Sequence, residues 1–134
     1  MKITIDRKRV FDKVRSEVFY RGEVRPDVSA TVQMSTDDSD VFGDLFEEAA
    51  EKALGELLIW GYPSVAVAGD AVFELCPPVS WPIMTEELTR AIEVFMVHKI
   101  VNRWMLMLGV GSEDFQNEDS LNIRRVLNKR EKPV

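Results

Sequence analysis

The run from Thr85 to Leu108 constrains this chain most. It is the longest apolar-rich stretch in the sequence and contains neither glycine nor proline. Leu88, Ala91, Ile92 and Phe95 recur at helical spacing, and Val94 to Val97 are apolar without a break. A helix that is apolar all round is buried on more than one side, so this one is expected to run through the centre of a core. Thr85 is placed to cap its start, Glu86 and Glu87 suit the positive end of its dipole, and Gly109 and Gly111 supply stop signals. Glu93, Lys99 and Arg103 argue against a membrane crossing, since each charge costs about 2.5–3.5 kcal/mol at a bilayer centre.

A second helix is expected to open at Asp37-Asp38-Ser39-Asp40 and to end at Gly61, with Pro63 preventing its resumption. Its stripe is Phe42, Leu45, Phe46, Ala49, Ala50, Ala53, Leu54, Leu57 and Leu58, and Glu47, Glu48, Glu51, Lys52 and Glu56 take the opposite face. The two stripes predict two long helices packed face to face. Between them, Gly69-Asp70 separates two β-prone runs and fits a two-residue hairpin turn of type I′ or II′.

Towards the N-terminus, Lys2 to Ile5 alternates polar and apolar residues, as a short strand does. Asp6 can cap a helix with Val10, Phe11, Val14, Val18 and Phe19 on one face, closed by Gly22. Glu23 to Ser35 reads as a linker that lets this helix lie away from the rest, or against a neighbouring molecule. After Gly111, Ser112 can cap a last helix containing Phe115, Leu121, Ile123, Val126 and Leu127. The fold expected is mainly α: a bundle of about four helices with a small β-hairpin inserted between the two long central ones. It forms one domain over 1–134, with a strand/helix arm over 1–22 and a helical core over 37–130 that carries the hairpin at 64–75.

A chain of 134 residues with 46% hydrophobic and 30% charged content can bury a sizeable core. Its net charge of −6 disfavours general nucleic-acid binding, but the distribution is uneven. Basic residues lead up to Arg25. From Pro26 to Glu93 only Lys52 and Arg90 are basic, and the end turns basic again through Arg124, Arg125, Lys129, Arg130 and Lys132. Basic ends around an acidic middle are complementary, within one molecule or between neighbours. The opening MKITIDRKRV lacks the apolar centre of a secretory signal, which leads us to expect a cytoplasmic site of synthesis.

Candidate chemistry is sparse. Asp38-Ser-Asp-Val-Phe-Gly43 starts like a calcium loop, but the fifth and twelfth positions would be Phe42 and Ala49, which have no side-chain oxygen to offer; helix capping is the better account. His98 is the only histidine, and its helical neighbours Val94, Val101 and Asn102 supply no catalytic partner. Cys76 precedes Pro77-Pro78 with no base nearby and is expected at a strand end, partly buried; a single cysteine also rules out an internal disulfide. Trp60 and Trp104 fall in or beside helical stripes, which leaves Trp81, between prolines, as the tryptophan to consider for a partner contact. No phosphate loop, dinucleotide fingerprint or hydrolase elbow is present. No catalytic residue, cofactor or metal is expected.

The acidic start Asp37 to Asp44, the Ala- and Leu-rich helix closing at Trp60-Gly-Tyr-Pro63, the hairpin, the proline-containing link and the helix Glu87-Leu-Thr-Arg-Ala-Ile-Glu-Val-Phe-Met-Val-His98 follow one another in an order that resembles the head–tail connector (adaptor) proteins of tailed bacteriophages. The resemblance covers the middle half of the chain. Met1–Gly22 falls outside that family's pattern, and the hairpin is unusually apolar for it. What the resemblance implies is a non-enzymatic virion or prophage protein, found in the bacterial cytoplasm or the virion. Its partners would be further copies of itself, in a head-to-tail ring, and portal or tail proteins. No membrane and no nucleic acid are expected as partners. Arg7 and Arg9, Val65, Val67, Val72 and Phe73, and Trp81 are the candidate interface residues. The alternative is a cytoplasmic helical module that binds one protein partner.

Overall fold

In the computed structural model, which describes residues 2–24, 33–58, 63–76, 85–109 and 122–126 (without the side chains of 22–24), the chain runs β1 (Lys2–Ile5), α1 (Arg7–Val24), α2 (Ser39–Glu56), β2 (Ser64–Ala68), β3 (Asp70–Glu74) and α3 (Thr85–Met107). A helical segment follows over 122–126. The molecule is mainly helical with one small antiparallel sheet, as expected.

Helix α3 is the central rod. It packs against α2, α1 and β1, and its buried residues, from Leu88 through Phe95 and Ile100 to Met105, point in all directions around the axis. Gly109 follows with φ +73°, the left-handed conformation that closes a helix, and its N–H donates to the Leu106 carbonyl at 3.0 Å. Helix α2 lies on α3 through Phe42, Leu45, Phe46, Ala49, Ala50 and Ala53. A 3₁₀ turn over Thr36–Asp38 leads into it, held by Ser35: the Asp37 N–H donates to Ser35 Oγ at 3.2 Å, and the Ser35 N–H donates to Asp38 Oδ2 at 2.8 Å. The helix stops at Glu56, earlier than Gly61, which lies outside the described residues. Leu57 is buried but Leu58 is exposed, so the stripe ends one residue sooner than its spacing implied.

The arm does not lie away from the rest. Asp6 caps α1, accepting the Arg9 N–H at 3.0 Å, and Val10, Val14 and Val18 are fully buried against the core. Helix α1 runs in the same direction as α3: the hydrogen-bonded pairs Arg9–Glu93, Lys13–Glu93 and Arg21–Asn102 keep a nearly constant offset along the two helices. Phe19 is a correction to the expected stripe, being 52% exposed. At about 100° per residue it sits well round the helix from the line through Val10, Val14 and Val18. Phe11 is partly buried, packs against the core and stacks on Phe42, with ring centroids 4.6 Å apart.

The strands order as β1-β3-β2, so the hairpin is only two-thirds of the sheet. On its inner face Ile3, Phe73 and Val65 form one row and Ile5, Ala71 and Val67 the next; Thr4, Val72 and Ala66 share a row on the outer face. The turn also differs from expectation. Ala68 pairs with Asp70, leaving Gly69 alone at the apex with φ +98°. Asp70 is the first residue of β3, and its carboxylate is engaged elsewhere. Its Oδ1 accepts the Arg7 N–H at 2.9 Å, satisfying a free amide in the first turn of α1.

Candidate functional site

The most chemically distinctive cluster joins α1 to α3. The Glu93 side chain is 8% exposed and takes Arg9 Nε at 3.1 Å and the Lys13 ammonium as partners. Burial pushes the Glu93 carboxyl pKa up, but the hydrogen bonds and charges of Lys13 and Arg9 outweigh it and hold the group below its ordinary 4.5. The group is therefore ionised near neutral pH, and its contacts with Arg9 and Lys13 anchor α1 to α3. Further along the same seam, Arg21 Nη1 reaches the buried Asn102 Oδ1 at 3.5 Å, and Arg21 Nε pairs with Glu17. Sequence reasoning takes Glu93 only as a charge that opposes membrane insertion. The signal for more is its place in a stretch that is apolar all round, where a carboxylate requires cations from another element.

Two open grooves flank the exposed side of α1. One, of about 370 Å³, is lined by Asp12, Lys13, Ser16, Glu17 and Val97. The other, of about 560 Å³, lies between Asp12, Arg15, Ser16 and Phe19 and the returning residues Gln33 and Met34, where Arg15 Nε donates to the Met34 carbonyl at 3.2 Å. Neither brings together a nucleophile, a base and an oxyanion donor. Among the described residues, no group of three His, Cys, Asp or Glu is placed to hold a metal ion. His98 is partly buried on α3. Cys76 is exposed just past β3, a correction to its expected partial burial: Leu75 is the last residue of that stretch to point into the core.

The structure separates the candidate interface residues. Phe73 is fully buried at the centre of the inner face, so it belongs to the core and not to an interface. Arg7 lies 5.9 Å from the ring centroids of both Phe42 and Phe46, its guanidinium filling the space where Gly43 has no Cβ. Arg9 is engaged with Glu93. Val65 and Val67 remain partly exposed on the inner face, and Val72 on the outer one. Trp81 lies outside the described residues.

What the molecule presents outward is charge and scattered apolar surface. Asp40, Asp44, Glu47 and Glu51 form a row along the exposed side of α2, and none of the four has an ion-pair or hydrogen-bond partner among the described residues. Other acids of the middle region are neutralised internally: Glu48 by Lys52 and Arg103, and Glu56 by Arg124. Phe19, Tyr20, Leu106 and Met107, near the C-terminal ends of α1 and α3, are each more than half exposed. No helix among the described residues is long and apolar enough to cross a membrane. Comparison of the chain with protein-family models, with curated proteins and with solved structures finds no match.

Proposed function

We propose that this chain is a non-catalytic structural protein of a tailed phage or prophage, a head–tail connector that acts by assembling copies into a ring between portal and tail. The observation that carries this reading is the row Asp40, Asp44, Glu47 and Glu51, exposed on α2 with no partner in its own chain among the described residues. A head-to-tail ring needs two different, complementary surfaces on each copy. The acidic row is one; Lys8 of α1 and Arg125, both exposed and without a carboxylate partner among the described residues, supply charge of the opposite sign. The resemblance over the middle of the chain supports the same reading, since it rests on the acidic start of α2, the hairpin and α3.

The test is to establish whether portal and tail genes lie beside this one and, with those proteins, to follow assembly by negative-stain microscopy and light scattering. Rings seated on the portal are expected, and they should loosen as salt screens the acidic row. A chain that stays monomeric, binds no portal and instead captures a single host protein would overturn this reading in favour of the protein-binding module.

A further inference from the structure

The three-stranded sheet has two outer edges, and they are not alike. On β1, Ile3 and Ile5 are buried, and Lys2 carries a charge. On β2, Ser64-Val-Ala-Val-Ala68 carries no charge and no proline, and its inward residues Val65 and Val67 remain partly exposed. Natural proteins blunt free strand edges with charge, proline or a bulge, because the unpaired N–H and C=O groups form a template for another strand. None of these devices is present in β2. Among the described residues no strand covers its outer edge.

We propose that β2 pairs antiparallel with β2 of a second copy of this chain, about a two-fold axis through Ala66, joining two sheets into one of six strands. The geometry selects this occupant. A strand laid beside β2 must bring apolar side chains to the inner face to cover Val65 and Val67. The β1 strand of another copy does not, because its Ile3 and Ile5 are already buried, with α3 of their own chain packed on that strand. A second β2 does: in a register centred on Ala66, Val65 faces the partner's Val67 and Val67 faces the partner's Val65, all on the inner side. Ser64 meets the partner's Ala68 and Ala66 meets the partner's Ala66 on the outer side, where small, uncharged residues create neither clash nor repulsion. The contact is isologous and closes at two copies. It stands apart from ring assembly and does not require the connector reading.

Disulfide trapping tests it. Residues directly opposite in an antiparallel pair have Cα atoms roughly 4.5–5.5 Å apart, within the span of a disulfide. In a Cys76→Ser background, where the exposed native thiol is gone, Ala66→Cys is expected to form a covalent dimer on mild oxidation at high protein concentration. Thr4→Cys, in the same outer row but on β1, is expected to remain monomeric. Independently, sedimentation of the unmodified chain should show its mass rising with concentration from 15.3 kDa towards twice that value. Ala66→Lys should weaken that association about fivefold, and an equimolar mixture of Ala66→Lys with Ala66→Glu should restore it. Ala66 and Thr4 are both exposed, so folding is unaffected, and circular dichroism of each variant checks it. The proposal is overturned if Ala66→Cys and Thr4→Cys cross-link equally, if neither does, or if the charge-swapped mixture associates no better than Ala66→Lys alone. Portal binding by Ala66→Lys should be unchanged, so loss of the dimer and loss of the connector reading give different results.

Discussion

Ile3 and Ile5 on β1 and Val65 and Val67 on β2 occupy matching rows on one face of one sheet, yet the isoleucines are 1% exposed and the valines remain partly open. Connectivity accounts for the difference. Strand β1 passes through a single residue, Asp6, into α1, so the helix that packs on α3 also fixes the strand beside it. Glu93 then locks that helix through Arg9 and Lys13. Among the described residues strand β2 packs mainly on α2, and that helix turns its acidic row to solvent. Among the described residues one edge of the sheet is closed by its own chain, and the other is the edge for which we propose a second copy.

The largest effect is expected on the closed side. Replacing Arg9 and Lys13 together by Ala strands the buried Glu93 carboxylate and should cost about 3–5 kcal/mol in urea unfolding. Glu93→Gln should cost clearly less, because Arg9 and Lys13 are largely exposed and can turn to solvent. Equal losses would mean that Glu93 is not the buried partner. Next comes Ile5→Ala, expected to cost about 2–5 kcal/mol, against about 1 kcal/mol or less for Val67→Ala in the monomer. Similar costs at the two positions would erase the contrast between the edges.

A pH titration sharpens the same point. The folded-state pKa of Glu93 lies below its unfolded value of 4.5. Its contribution is therefore fully present above that value and is lost as pH falls through the lowered folded one. Wild-type stability should decline more steeply than that of Glu93→Gln below pH 4.5, with the two curves parallel near neutrality. The smallest of these effects is at the turn. Asp70→Ala removes the acceptor for the Arg7 N–H and should cost about 1 kcal/mol, read from the thermal midpoint.

The helical part of this architecture is legible because periodicity is local. The stripes of α2 and α3 follow from three-four spacing alone, and Gly109 and Asp6 act where their residue types indicate. The sheet is not fully legible. Nothing in Lys2–Ile5 says that it pairs with Asp70–Glu74, and without that pairing Phe73 looks like the exposed apolar residue of a lone hairpin rather than the centre of a three-strand row. Asp70 escapes a local reading for a related reason: a Gly-Asp turn is a short-range pattern, whereas its bond to the Arg7 amide spans 63 residues. The Arg9–Lys13–Glu93 anchor is half hidden in the same way: the apolar surroundings of Glu93 signal a need for cations, but Arg9 and Lys13, 84 and 80 residues away in sequence, look like ordinary surface charges.

Amide hydrogen exchange, followed as a function of protein concentration, tests the contrast between the two edges most directly. The account predicts that amides of Ser64–Ala68 become more protected as concentration rises, while those of Lys2–Ile5 keep the same protection throughout. Protection of β2 that is strong and independent of concentration, or protection that rises on β1 instead, would contradict it.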